Sequence, residues 1–366
     1  MNRKILFIMH MPPPVHGAAM VGQYIHDSAK INSTFDCRYV NIATASSIED
    51  IGKVRLGKIL DFLKLRRQIV SSIREDKPDL VYITPNSKGI SFFKEYLLVK
   101  AIKRYKVEII AHYHNKGVSE KQNNLLYNAL YRRFFKNLKL ILLSERLYGD
   151  VKKYVVKEDV YICPNGIPAD VSQKHLSSVP HILFLSNLIP EKGVYVLLDS
   201  LKVLKDREYS FVCDFVGAET AQIDSKRFGR EVSDRGIENM VIYHGGKYGA
   251  EKKAFLEMAA VFAFPSFYPG ECFPLVLLEA MSYRIPVAAT SVGGVPDMVE
   301  DGKTGFVCPP ADSVSFADKL AELLDNKDLR ENMGKAGYEK FLSEFTLDVW
   351  ENRMVEIIES LHCTKA

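Results

Sequence analysis

Phe264-Pro265-Ser266, followed by Glu271-Cys272-Phe273-Pro274-Leu275-Val276-Leu277-Leu278-Glu279-Ala280-Met281, is the stretch on which the fold of this chain turns. The apolar run Val261–Phe264 stops at a Pro-Ser turn and reads as a short buried strand. Pro274 then opens an apolar run of helical period, as its first residue, where the missing N–H costs nothing. A strand that feeds a helix through a polar loop is the repeating unit of a parallel sheet. Two glutamates, with seven residues between them, bracket the helix start: Glu271 in the loop and Glu279 in the helix. The first amides, those of Leu275 and Val276, lie at the positive end of the helix dipole and suit a diphosphate. Glu279, one turn past Leu275 on the same face, is placed to accept both hydroxyls of a ribose, and Glu271 to reach a group on the far side of the phosphates.

The same strand-and-helix alternation extends outward. Ile5–Met9, Leu80–Thr84, Val107–His112 and Leu138–Leu143 read as buried strands, with helices over Leu56–Arg74 and Phe92–Tyr105. The pattern breaks at Cys163-Pro164-Asn165-Gly166-Ile167-Pro168, a cluster of turn formers. It restarts with strands over His181–Leu185, Phe211–Val216, Val241–His244, Val261–Phe264 and Val287–Thr290, and helices such as Tyr195–Leu204 and Leu275–Met281. The expectation is two doubly wound Rossmann-like α/β domains facing a cleft, residues 1–164 and 165–345. Residues 346–366 form a final helix, with Trp350, Met354, Ile357 and Leu361 at helical spacing, that could cross back to the N-terminal domain. The 366 residues suit two domains.

Composition excludes several classes. No run approaches the 18 or so apolar residues of a membrane span. Ile5–Met9 is too short for a signal-peptide core and is expected to be the first strand. The six cysteines contain no CxxC pair and are expected to be buried, reduced thiols of a cytoplasmic protein. Charge is divided unequally. Residues 1–164 carry 28 Lys and Arg against 15 Asp and Glu, a balance of +13, and the remainder carries 21 against 30, or −9. Different partners for the two halves follow.

At residues 264–310 the sequence resembles the family 4 retaining glycosyltransferases of the GT-B fold, and in particular those of bacterial surface polysaccharides. The family's order of Glu-x7-Glu, Ala-Met, Pro-Val, Gly-Gly and Thr-Gly is met by Glu271/Glu279, Ala280-Met281, Pro286-Val287, Gly293-Gly294 and Thr304-Gly305. A second match is Ser186-Asn187-Leu188-Ile189-Pro190-Glu191-Lys192-Gly193, where the resemblance makes Lys192 a phosphate ligand and puts Asn187 where an Arg is usual. A third is the loop Pro12-Pro13-Pro14-Val15-His16-Gly17, from which only Gly17 carries over. A fourth is His112-Tyr113-His114-Asn115, in which His114, or else His112 two residues back, would touch the transferred sugar. The resemblance therefore implies catalytic roles for His114, Glu271 and Lys192. It implies donor contacts from Gly17, Asn187, Lys192, Phe273, Leu275, Val276 and Glu279.

It further implies a metal-independent, retaining transfer of the hexosyltransferase type from a nucleotide diphosphate sugar to a glycan or lipid-linked acceptor, with no cofactor and no metal. No Asp-x-Asp cluster and no G-x-G-x-x-G after the first strand competes with this reading. Gly302-Lys303-Thr304 lacks the preceding glycine of a P-loop, since position 297 is Asp. A nucleotide-sugar 2-epimerase and a non-catalytic sugar-nucleotide-binding protein remain the alternatives. Three basic stretches interleaved with apolar residues (Lys53, Arg55, Lys58, Lys64, Arg66 and Arg67; Lys94 to Lys106; Arg132-Arg133-Phe134-Phe135-Lys136) suit an anionic membrane surface. Nucleic acid has no reading module here. The expected location is cytoplasmic, peripheral at the inner face of the membrane.

Overall fold

The computed structural model describes residues 2–13, 17–42, 56–169 and 177–361, with only the backbone of residues 56–59. Pro14, Val15, His16, Lys53, Arg55, Cys363 and the Lys58 side chain lie outside the described residues. The chain divides into two compact units, Met1–Asn165 with Asp348–Ala366, and Gly166–Leu347.

The first unit runs β1 (Lys4–Met9), α1 (Gly17–Asp27), α2 (Ala29–Thr34), β2 (Asp36–Asn41), α3 (Leu56–Asp76), β3 (Leu80–Ile83), α4 (Gly89–Ile102), β4 (Glu108–Tyr113), α5 (Val118–Lys121), α6 (Leu125–Phe135), β5 (Lys139–Leu142), α7 (Tyr148–Val151) and β6 (Val160–Ile162). Its six strands are parallel, in the order β2-β1-β3-β4-β5-β6. Central strands such as β3 are buried along their whole length, which is why they read as continuous apolar runs. An aromatic cluster built on Phe92, Tyr131, Phe134 and Phe135 fixes α4 against α6.

The second unit runs β7 (His181–Leu185), α8 (Val194–Asp206), β8 (Val212–Val216), α9 (Ser225–Ser233), β9 (Val241–Tyr243), α10 (Gly249–Met258), β10 (Val261–Phe264), α11 (Leu275–Ser282), β11 (Val287–Thr290), α12 (Val295–Met298), β12 (Gly305–Cys308), α13 (Ser313–Asp325) and α14 (Lys327–Glu344). Its parallel order is β12-β11-β10-β7-β8-β9. Ile182, Phe184, Phe215, Leu197, Leu201 and Phe316 are among the side chains packed beneath the sheet. Both units thus have the doubly wound α/β architecture expected of them.

The last helix, α15 (Leu347–Ser360), buries Trp350, Met354, Ile357 and Ile358. Arg3 ties its end to the first unit, donating to the carbonyl oxygens of Ile358 and, at 2.8 Å, Leu361, and to Glu108 Oε2 at 3.0 Å. Of the five described cysteines, Cys37 is half-buried and Cys163, Cys213, Cys272 and Cys308 are buried. Among the described residues no helix is long and apolar enough to cross a membrane.

Candidate functional site

In the second sheet the chain winds one way through β7, β8 and β9 and the other way through β10, β11 and β12, so β7 and β10 flank the point of reversal. Crevices beyond the carboxyl ends of strands at such a point are where open α/β sheets bind ligands. The segment after β7 carries Asn187 and Lys192, and the segment after β10 carries Glu271. Their backbones are stitched together: the Phe267 amide donates to the Glu191 carbonyl at 2.8 Å. Gly193 is required at this join. Its φ is +87°, and a Cβ there would lie 2.1 Å from the Pro265 carbonyl oxygen.

This join brings Lys192 and Glu271 together across 79 positions of sequence. Lys192 Nζ donates to Glu271 Oε2 at 2.6 Å, with side chains 20% and 9% exposed. Ser266, fully buried, donates to the same oxygen from Oγ at 3.3 Å. The ammonium also sits 4.8 Å from the centre of the Tyr268 ring. The Gly-Gly turn supports the loop from the other side. Gly293, at φ +52°, leaves no room for a Cβ beside the Glu271 carbonyl oxygen, and the Gly294 amide donates to the Cys272 carbonyl at 2.7 Å.

Helix α11 starts at Leu275. Pro274 is its N-cap, with ψ 120°, rather than its first helical residue as the sequence suggested. Its extended ψ turns the chain into the helix, and no side chain caps that end. The amides of Leu275 and Val276, being in the first turn, have no acceptor within the helix. Leu277, Leu278, Ala280 and Met281 are buried, while Glu279 lies on the half-buried face with Leu275 and Val276. Glu279 Oε1 accepts from Lys252 Nζ at 2.7 Å, and its Oε2 is buried with no hydrogen-bond partner. Phe273 is buried, its ring 5.6 Å from that of Phe345, so its side chain belongs to the core and only its backbone is left for a ligand. Asn187 is engaged locally, its Oδ1 accepting from the Ala218 amide at 3.2 Å.

His114 and Gly17 belong to the first unit. His114 directly follows β4 and is half-buried, its ring 4.1 Å from that of His112. His112 is fully buried and shares a 2.6 Å hydrogen bond with the Tyr82 hydroxyl. Burial, with the neighbouring His114, pushes the His112 pKa well below the ordinary histidine value. The next residue, Asn115, pins the loop after β3, accepting from the Ser87 amide at 2.7 Å and donating to the Pro85 carbonyl at 3.1 Å. Gly17 is exposed at the start of α1, with nothing near a would-be Cβ among the described residues; the glycine that packing demands is Gly22, whose Cβ would lie 2.0 Å from the His10 carbonyl oxygen.

Ser266, Tyr268, Lys252 and Gly22 were not singled out from sequence. Ser266 and Tyr268 lie in the loop between Phe264 and Glu271, whose inward and outward positions no periodicity marks, and Lys252 sits in the surface-like run Glu251-Lys252-Lys253. Among the described residues no group of three or more His, Cys, Asp or Glu could hold a metal ion.

Residues 170–340 match the family model of the glycosyl transferases group 1. A putative colanic acid biosynthesis glycosyltransferase of Escherichia coli is 25% identical over 261 residues, which is 68% of this chain and 63% of that relative's length. A capsular polysaccharide biosynthesis glycosyltransferase of Staphylococcus aureus is 24% identical over 84% of this chain and 73% of its own. Among solved structures, an Anabaena protein in complex with UDP-glucose superposes with a TM-score of 0.76 at 18% identity, covering 98% of this chain and all of that one (100%). The chain has the GT-B fold of these neighbours.

Proposed function

We propose, on the match of residues 170–340 to the glycosyl transferases group 1, that the chain transfers a sugar from a nucleotide diphosphate donor to a glycan or lipid-linked acceptor in surface-polysaccharide assembly. The observation that carries the reading is the meeting of Lys192 with Glu271 at the strand reversal, beside the start of α11. The donor belongs to the second unit. Its ribose hydroxyls donate to Glu279, its diphosphate lies at the Leu275 and Val276 amides and the Lys192 ammonium, and its sugar faces Glu271. Asn187 and the backbone of Phe273 border it.

In the reaction the bond between the anomeric carbon and the diphosphate oxygen breaks, and a bond to the acceptor hydroxyl oxygen forms on the same face. The hydroxyl proton passes to the departing phosphate oxygen. Lys192 and the helix-start amides are preorganised for the charge that develops there, an electrostatic effect of the oxyanion-hole kind. This neutralisation requires no metal. By the resemblance alone, His114 would touch the transferred sugar and Gly17 would border the diphosphate.

The acceptor falls to the basic first unit. On α3, Lys64, Arg66 and Arg67 are exposed together with Leu60 and Leu63, a mixture suited to anionic lipid. A peripheral position on the inner membrane face follows from this surface.

A thermal-shift screen of nucleotide sugars in EDTA tests the proposal. A ligand at 100 times its Kd adds about 2.7 kcal/mol to stability, and the cognate donor should raise the melting temperature while its free sugar does not. Nucleoside diphosphate should then be released only when acceptor is added. No shift with any nucleotide sugar would overturn the reading.

A further inference from the structure

We infer that Lys252 is a positioning residue for the donor's ribose, which holds one oxygen of the Glu279 carboxylate and thereby presents the other to the nucleotide. The inference rests on the donor reading above. Lys252 stands in the first turn of α10, the helix that leads from β9 back to β10, and Glu279 stands in α11 after β10. The two side chains, 28% and 21% exposed, meet at 2.7 Å between Nζ and Oε1.

What gives this pair its meaning is the second oxygen. Glu279 Oε2 is buried and has no hydrogen-bond partner. An ionised carboxylate is an acceptor with about four lone-pair sites, and a buried acceptor left unmade is destabilising. The group that completes it has to be a donor. It need not be a cation, because Lys252 already compensates the charge. A neutral hydroxyl fits, and an anionic phosphate does not. Lys252 therefore does two things at once. It fixes the rotation of the carboxylate, so that Oε2 and not Oε1 is offered, and it makes the offered bond a charge-assisted one directed at a sugar hydroxyl.

Lys247 is paired with Glu251 at 2.8 Å. The Lys252 ammonium reaches Glu279 of α11 from a sequence, Gly249-Ala250-Glu251-Lys252-Lys253, that reads as solvated surface.

A merely structural salt bridge and a ribose-positioning one make different predictions for nucleotides that lack the ribose hydroxyls. Wild type, Lys252→Met, Lys252→Arg, Glu279→Ala and the Lys252→Met/Glu279→Ala double variant are titrated calorimetrically with uridine, guanosine and adenosine diphosphates. The tightest is then compared with its dideoxyribose analogue. Wild type should prefer the ribose form by about 10- to 100-fold, the range of a hydrogen bond to a charged group. Lys252→Met should reduce that preference to the level of Glu279→Ala, with affinity for the dideoxy form changed by less than about threefold. Lys252→Arg should retain the preference, and the double variant should match Glu279→Ala, because the two residues act as one unit. A Lys252→Met variant that keeps the full preference, or that weakens both nucleotides equally, overturns the inference while leaving the donor reading in place. A wild type that binds none of the three diphosphates overturns both.

Discussion

Lys192→Met keeps an aliphatic stem of similar length and removes the ammonium. Wild-type Glu271 Oε2 accepts from Lys192 Nζ at 2.6 Å and from Ser266 Oγ at 3.3 Å, so the variant leaves that oxygen with the weaker of the two bonds. The carboxylate is nearly buried and cannot turn to water. Breaking one side of a buried pair costs about 3–5 kcal/mol, because the partner charge is stranded. The residual exposure of Lys192 places it near the lower end, about 3 kcal/mol. Loss of the contact with the Tyr268 ring adds about 0.5–1 kcal/mol. For a unit of this size about 3.5–4 kcal/mol lowers the melting temperature by roughly 7–16 °C. Adding Glu271→Gln removes the stranded charge, and the double variant should return to within about 1 kcal/mol of wild type without regaining nucleotide affinity. Urea titration of the four proteins reads the stability, and calorimetry with a nucleoside diphosphate reads the binding. The reasoning is refuted if Lys192→Met is as stable as wild type, or if the double variant is no more stable than the single one.

Gly193→Ala should cost about 2–5 kcal/mol in a urea titration, since a left-handed φ and a Cβ 2.1 Å from the Pro265 carbonyl oxygen act together; an unchanged midpoint would mean that the two loops are not fixed against each other. Burial raises the Glu95 pKa to about 7, although both carboxylate oxygens accept from Asn86. Its contribution to stability is present in full below about 4.5 and is lost as pH rises through about 7, up to about 3 kcal/mol. Glu95→Gln should therefore gain on wild type between pH 5 and pH 8 in urea titrations, and a difference independent of pH would contradict this. Reversal of Lys64, Arg66 and Arg67 to Glu should reduce co-sedimentation with acidic-lipid vesicles in low salt, where each charge near the surface contributes about 1 kcal/mol, and leave nucleotide affinity alone. Equal partitioning of the unmutated protein onto acidic and neutral vesicles would leave α3 as a solvated surface.

The central strands were legible because strands covered on both faces read as continuous apolar runs: β3, β7, β10 and β11 fall within a residue of where the sequence put them. The edge strands were harder. β2, Asp36-Cys37-Arg38-Tyr39-Val40-Asn41, alternates polar and apolar residues, and β6 has three half-buried ones, so neither carries a buried-strand pattern. Helix α14 shows the same limit, with a largely polar sequence and only Met333, Gly334, Gly337 and Phe341 buried. At the candidate site, Glu271, Glu279 and the Lys192-Gly193 turn stood out through the resemblance that their motifs carry. That Lys192 and Glu271 touch was hidden, because it depends on the backbones of two loops 79 positions apart meeting over Gly193. The Lys252–Glu279 pair was hidden because its members stand on separate helices, α10 and α11, 27 positions apart.

The central claim is a nucleotide-sugar donor site in the second unit, with Glu279 on the ribose. Calorimetric titration of wild type and Glu279→Ala with uridine, guanosine and adenosine diphosphates, all in EDTA, tests it most directly. The account predicts one diphosphate bound per chain without metal, and a loss of about 1.5–3 kcal/mol in the variant, the worth of hydrogen bonds to a charged group. Equal affinity in the two proteins, or binding that appears only when magnesium or manganese is restored, would contradict it.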